Sequence, residues 1–219
     1  MVMKVWKGTK EPYILKLKQK RSRLGSLLRF YEVFLSGNLN EKTLDAIFST
    51  SFFSPSAKVV SMYGGGILSI GDKCLINGSI VLERSESKIE IGGNSFLGFS
   101  STLNARKSIS IGSNVLIAEQ CLIQDHNSHA IDYLARRNDI NLAIARHIGN
   151  PKMDKDFSQV TERPVHIGND CWIGYRSIIL KGVTIGDRSI VAAGSVVTNS
   201  LPGDIIAAGN PARIVKKLN

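Results

Sequence analysis

Every sixth residue from Ile167 onward is aliphatic: Ile167, Ile173, Ile179, Ile185, Val191 and Val197. The residue that follows is glycine at Gly168, Gly174 and Gly186, and alanine at Ala192. Four residues after each aliphatic position comes something small, at Cys171, Ser177, Val183, Ser189 and Ser195. A period of six fits neither the 3.6 of a helix nor the alternation of a single half-buried strand. It marks a solenoid of short strands and tight turns, with three hexads to a coil, as in the 18 residues from Ile167 to Ile185. The aliphatic residues point inward and stack on those of the neighbouring coils. No hexad can bury its apolar face alone, so the repeats must pile up. Glycine is expected after the aliphatic residue because it permits backbone conformations that a side chain would obstruct.

The same beat runs through Ile70, Ile76 and Leu82, then Ile91, Leu97, Leu103 and Ile109, then Ile111, Ile117 and Ile123. The starts Ile70, Ile91 and Ile111 lie 21 and 20 residues apart, so the early coils carry small insertions at a corner. Between Ile123 and Ile167 the beat stops for 44 residues, which reads as one coil plus about 26 more. So long a departure from so regular a scaffold is more often functional than accidental. The chain therefore divides into a basic N-terminal helical cap (1–56), a β-helix (57–203) with a loop insertion (125–163), and a C-terminal strand with a basic tail (204–219).

The formal charge of +10 is concentrated at one end. Residues 1–30 hold nine Lys or Arg against one Glu, a net +8, so the repeat body is nearly neutral. Within Ile14–Leu35 the apolar residues Leu17, Leu24, Leu28, Tyr31 and Leu35 have roughly helical spacing, and a second short helix is expected over Asn40–Ser49. A helix here would cap the open strand edges of the solenoid. Its basic face could also meet an anionic glycan or make peripheral contact with a membrane. No nucleic-acid partner is expected.

No apolar run is long enough for a transmembrane helix, and the basic N-terminus lacks the apolar core of a signal peptide, so a cytoplasmic protein is expected. Cys74, Cys121 and Cys171 each fall in the small slot of a hexad, about fifty residues apart, which is neither a zinc spacing nor a disulfide framework. No G-x-S-x-G or phosphate-binding loop occurs, and no serine or cysteine has a nucleophile's setting.

The insertion opens with Asp125-His126-Asn127-Ser128-His129-Ala130-Ile131-Asp132 and continues to Arg136 and Arg137. Together with the hexads, this segment resembles the hexapeptide-repeat acyltransferases, and within them the maltose, galactoside and capsule-sugar O-acetyltransferase branch. The resemblance implies a mainly β fold, a left-handed parallel β-helix. It implies a homotrimer with sites in the clefts between chains. It also implies transfer of an acetyl group from acetyl-CoA to a hydroxyl of a sugar or surface polysaccharide, which could be anionic. No metal is implied. The family's D-x-x-x-H-x-[IL]-D segment puts the catalytic base on His129. A sugar hydroxyl is a poor nucleophile until its proton is removed, and an imidazole, with an ordinary pKa of ~6.5, suits that task. Asp125 is the near candidate to orient the ring, and His126 could be the base instead.

For the donor, the resemblance implies coenzyme A in a groove beside adjacent coils. The matching positions are Trp172, Gly174, Tyr175, Ala193, Gly194 and Thr198, with Arg213, Lys216 and Lys217 placed for the 3′-phosphate end. Tyr175 departs from the Ser or Ala common in the family, and Asn199 from the usual Lys or Arg. N-acylation of an amino sugar or nucleotide sugar, and a non-catalytic solenoid, are the alternatives. A zinc hydratase on the same fold needs three histidines, two of them five apart, whereas His126, His129, His147 and His166 are separated by 3, 18 and 19.

Overall fold

The computed structural model describes residues 13–18, 30–36, 51–62, 66–147 and 157–218. Two strands, β1 (Tyr13–Lys18) and β2 (Phe30–Ser36), precede the coils. The first coil holds β3 (Phe52–Phe53), β4 (Lys58–Ser61) and β5 (Ile67–Ile70). The second holds β6 (Leu75–Ile76), β7 (Ser79–Leu82) and β8 (Lys88–Ile91), and the third β9 (Phe96–Leu97), β10 (Thr102–Ala105) and β11 (Ser108–Ile111). The fourth begins with β12 (Leu116–Ile117) and β13 (Leu122–Gln124). It is then interrupted by the insertion with helices α1 (Tyr133–Arg137) and α2 (Asp139–His147), and resumes at β14 (Val165–Ile167). The fifth holds β15 (Trp172–Ile173), β16 (Ile178–Ile179) and β17 (Thr184–Ile185). The sixth holds β18 (Ile190–Val191), β19 (Val196–Val197) and a bridge at Leu201, before β20 (Ile205–Gly209) and β21 (Ala212–Lys217) close the end.

These strands stack into three flat faces, a left-handed parallel β-helix of about six turns. The first face runs β1-β2-β4-β7-β10-β13-β16-β19, the second β5-β8-β11-β14-β17, and the third β3-β6-β9-β12-β15-β18-β20-β21. The hexads are in register through each face. Val59, Ile80, Leu103, Ile123, Ile179 and Val197 form one column. Ile76, Leu97, Ile117, Ile173 and Val191 form another. All of these residues are buried. Fully burying one such side chain is worth about 1.5–3 kcal/mol, so the columns drive the stacking.

The small slot has a second reason besides size. Cys74 Sγ donates to Gly92 O, Ser95 Oγ to Gly112 O and Cys171 Sγ to Gly186 O, each at 3.2 Å. Ser101 Oγ reaches Ala118 O at 2.6 Å and Cys121 Sγ reaches Gly174 O at 3.2 Å. These five slots thus hand a hydrogen to the next coil, whereas Val115 and Val183 fill theirs by size alone. Burial pushes all three thiols up from their ordinary value, so they remain protonated donors.

The glycines differ from the expectation. A Cβ on Gly174 would lie 2.6 Å from Ala193 N, so what matters there is close approach between coils. The left-handed backbone positions fall instead on residues such as Gln120, Arg176 and Gly194, which follow one another at one corner.

Two further expectations are corrected. The span 14–35 contains strands, not one helix. β1 pairs antiparallel with β2, and β2 pairs in parallel with β4, carrying the first face beyond the first coil. An open sheet edge offers a row of unpaired N–H and C=O groups, and backbone pairing there outweighs loose helical spacing. The expected helix over Asn40–Ser49 lies outside the described residues. The insertion is also larger than expected. Ile111 pairs with Ile167 and Ile123 with Ile179, so Ile123 to Ile167 is one step between faces. Of its 44 residues six are ordinary, leaving about 38 extra at a single corner. Among the described residues no helix is long and apolar enough to cross a membrane.

Gly174→Ala should destabilise the protein by more than Gly194→Ala. Gly194 has open space around its missing Cβ and only a positive φ of 72°, a strain of roughly 1–2 kcal/mol for an L-residue, whereas Gly174 faces backbone. Chemical denaturation of the two variants checks the order.

Candidate active site

The insertion leaves the solenoid from the corner between the first and second faces. Its two ends zip together there: Asn127 N–H donates to Thr161 O at 2.9 Å, Arg163 N–H donates to Asp125 O at 2.7 Å, and His126 bridges Glu162 in antiparallel fashion. Beyond this root, Asp132 caps α1 by accepting from Ala135 N–H at 2.8 Å. Arg136 donates to the carbonyls of Ala130 and Ile131. Asp132 and Arg136, prominent in the sequence motif, therefore shape the loop.

His129 stands on this loop with 54% of its side chain exposed, and its Nδ1 lies 2.5 Å from Asp139 Oδ2. Asp139 is the first residue of α2. A carboxylate on Nδ1 fixes the tautomer that presents Nε2 as an acceptor, the arrangement a general base needs. The orienting residue is thus Asp139 and not Asp125, a correction to the sequence expectation. Asp125 is fully buried and faces the other way: its carboxylate accepts from the backbone N–H of Arg106 at 2.8 Å and of Lys107 at 2.7 Å.

His126 is placed differently from His129. Only 1% of its side chain is exposed. Nδ1 donates to Asp125 Oδ1 at 3.0 Å, and Nε2 lies 3.3 Å from Glu83 Oε1, at ion-pair distance but without hydrogen-bond alignment. Burial alone would disfavour the imidazolium. The hydrogen bond to Asp125 and the charges of Asp125 and Glu83 outweigh it and push the ring up to about 9. Burial likewise works against the Glu83 carboxylate, but His126, Asn104 and Arg106 hold it below its ordinary value. A ring that keeps its proton at neutral pH has no lone pair to take another. The geometry favours His129 over His126 for proton abstraction.

The donor-side candidates separate into groups. Trp172 points outward from β15 on the third face, 51% exposed, in register with Leu116 and Ile190. Tyr175, Ala193 and Gly194 are exposed at the corner between the third and first faces, where Gly194 N–H donates to Tyr175 O at 2.7 Å. The Arg176 guanidinium lies 5.1 Å from the Tyr175 ring. Arg213, Lys216 and Lys217 are exposed on β21, which belongs to the third face. Thr198 is exposed but lies past β19, at the next corner. Gly174 is buried against the following coil, unlike the exposed candidates beside it. Among the described residues no group of three or more His, Cys, Asp or Glu could hold a metal ion.

Sequence reasoning missed Asp139, and it missed Glu83, Arg84, Arg106 and Glu162 around His126. For Glu83, Arg84 and Arg106 a signal exists. They are the extra corner residues that lengthen the second and third coils, at the corner from which the insertion leaves.

The shifts at His126 and Glu83 give a pH dependence of stability. His126 is raised in the fold, so its contribution is complete below about pH 6.5 and is lost as the pH climbs through about 9. Glu83 is lowered, so its contribution is present above its ordinary value of 4.5 and is lost as the pH falls below it. The melting temperature should peak between these windows and decline from pH 6.5 to 9. His126→Gln should flatten that decline. Thermal melts across the range check both.

A family model described as the hexapeptide repeat of succinyl-transferase matches residues 88–118 and 164–199. The galactoside O-acetyltransferase of Escherichia coli K12 is 30% identical over 181 residues, covering 83% of this chain and 79% of that protein. A hexapeptide-repeat acetyltransferase from Vibrio cholerae, solved with acetyl-CoA, is 31% identical with a TM-score of 0.53, covering 68% of this chain and 70% of that one. A maltose O-acetyltransferase from Clostridium difficile is 28% identical with a TM-score of 0.50, covering 73% and 71%. With its six-residue columns, its three stacked faces and a relative of this closeness over most of its length, the chain belongs to the hexapeptide-repeat acetyltransferase family.

Proposed function

We propose that the protein transfers an acetyl group from acetyl-CoA to a hydroxyl of a sugar or polysaccharide, with His129 as general base. The observation that carries this reading is the pairing of an accessible His129 with Asp139 on the one long insertion in the solenoid. Acetyl-CoA, when bound, supplies the activated acyl carbon of a thioester. His129 Nε2 takes the proton of the acceptor hydroxyl as the new C–O bond forms and the C–S bond breaks. The proton then passes to the departing thiolate. Asp139 keeps the ring oriented and stabilises the imidazolium that forms in between. Each thiol in the hexads is buried and protonated, which favours direct transfer over a covalent acyl-enzyme.

The residues that fit the donor are the exposed ones: Trp172, Tyr175, Ala193 and Gly194, with Arg213 and Lys216 as cations toward its phosphates. On one chain they lie on the third face and its corner with the first, whereas His129 rises from the corner beyond the first face. Copies packed side by side would bring the insertion of one to the third face of the next, which supports a homotrimer with shared sites. That face carries an outward row of Leu75, Phe96, Leu116, Trp172 and Ile190 suited to such contact. The net +8 of residues 1–30 supports an anionic acceptor, attracted over about a Debye length near 8 Å.

His129→Ala should lower kcat ~10²–10⁴-fold with the assembly and melting temperature intact. Asp139→Asn should give a smaller drop in the same direction. Thiol release from acetyl-CoA with a panel of sugars and glycans reads both. Full turnover by His129→Ala would refute the assignment. Sedimentation should give three times the chain mass, and a monomer at micromolar concentration would count against shared sites.

A further inference from the structure

At the root of the insertion, charged side chains from three successive coils meet one from the returning chain. Glu83 and Arg84 follow β7, Arg106 follows β10, Asp125 and His126 follow β13, and Glu162 arrives from the far end of the insertion. Arg84 pairs with Glu162. Arg106 lies 3.2 Å from Glu162 Oε2 and 3.8 Å from Glu83 Oε2, and stacks its guanidinium 3.6 Å from the centre of the Phe157 ring. Asp125 and His126 are nearly inaccessible, Arg106 is 7% exposed at its side chain and Glu83 13%.

The charges in this cluster are unequal without the histidine. Three carboxylates, Glu83, Asp125 and Glu162, face two guanidiniums, Arg84 and Arg106. Arg84 and Glu162 pair with each other at the wetter rim, 37% and 24% exposed at their side chains, so the dry part sets two carboxylates, Glu83 and Asp125, against the one guanidinium of Arg106. An uncompensated charge there is costly, and breaking a buried pair by removing one partner is strongly destabilising. A protonated His126, lying between Asp125 on one side and Glu83 on the other, brings the count to three against three.

We propose that His126 is a charge-balancing cation that locks the root of the insertion onto the coils beneath it, and so sets where His129 and Asp139 stand. It is a positioning residue and takes no part in proton transfer to or from the acceptor. This rests on the reading of His129 as the base, three residues farther along the same arm of the loop. The hydrogen bonds from Asn127 and Arg163 that zip the two ends are the nearest structure held by the clamp.

The test is hydrogen exchange at the Asn127 and Arg163 amides of the full-length protein, corrected for intrinsic rates, alongside steady-state kinetics. His126→Gln leaves one carboxylate in excess. It should speed exchange at these two amides roughly 10²-fold or more, with no change at Trp172 or Gly174 on the neighbouring coil. Glu83→Gln combined with His126→Gln restores equal numbers, two against two, and should recover much of the protection that His126→Gln alone has lost. A role in packing alone would predict no such recovery. In wild type, which needs no variant to fold, protection of these amides should fall as the pH rises through about 9. The kinetic signature is a lower kcat for His126→Gln, partly restored in the double variant, with the KM for acetyl-CoA within about twofold. Unchanged exchange in His126→Gln, or a double variant no better than the single, overturns the clamp. Exchange that follows the charges while kcat does not overturns the positioning role. Wild type that transfers no acetyl group to any acceptor overturns the proposed reaction, and the exchange data still decide the clamp.

Discussion

Everything in this molecule depends on one coil lying in register on the next. The parallel pairing fixes the separation of the coils, and that separation dictates what each position of the hexad can hold. Inward positions must be aliphatic because they have only one another for neighbours. The corner position of Gly174 must be glycine because a Cβ would meet the backbone of the following coil at 2.6 Å. The small slot must be short enough to fit, and where it holds a residue such as Ser101 or Cys121 it also donates a hydrogen upward. The three cysteines are thus explained by stacking, and their buried, protonated state removes them from the chemistry.

A scaffold this repetitive has no natural site of its own, because every coil presents much the same surface. Function has to be introduced by departures from the repeat. Here the departures converge on one corner. The second and third coils are each lengthened there by a few residues, and the fourth by about 38. The short departures supply Glu83, Arg84 and Arg106, and the long one supplies Asp125, His126 and Glu162. The small insertions build the socket into which the large one is fixed.

The repeat makes the body of the fold legible, because a period of six has few physical solutions. Ile70, Ile91 and Ile111 pair in one column as the spacing predicts, whereas Leu103 stands opposite Ile80 and not Leu82, a slip of two residues that keeps the same side of the strand inward. The N-terminal strands are harder to read. Tyr13–Lys18 does alternate, but Leu17, Leu24, Leu28 and Tyr31 offer a competing helical pattern, and the choice is made by a sheet edge that lies far off in sequence. The candidate site is legible only as far as its motif. His129 stands out, but its partner Asp139 is ten residues away across a turn between two short helices, and no local pattern announces that contact. Asp125 looks like the partner by proximity in sequence, yet it is turned inward by the backbone N–H groups of Arg106 and Lys107.

The two histidines of the insertion show how burial divides labour between identical side chains. An imidazole works as a base only if it is neutral at the working pH and open to its substrate. His126, between two carboxylates and away from water, meets neither condition and is suited to holding a fixed positive charge. His129, more than half exposed and oriented by one carboxylate, has the access that proton transfer requires. The two residues between them, Asn127 and Ser128, carry the chain from the dry socket to the open face of the loop. A base carried on a loose root would sample many orientations, and catalysis tolerates little misplacement of reacting groups. On the proposed reading, the charge buried at His126 and the access left at His129 are two parts of one arrangement: the first keeps the loop still so that the second can be used.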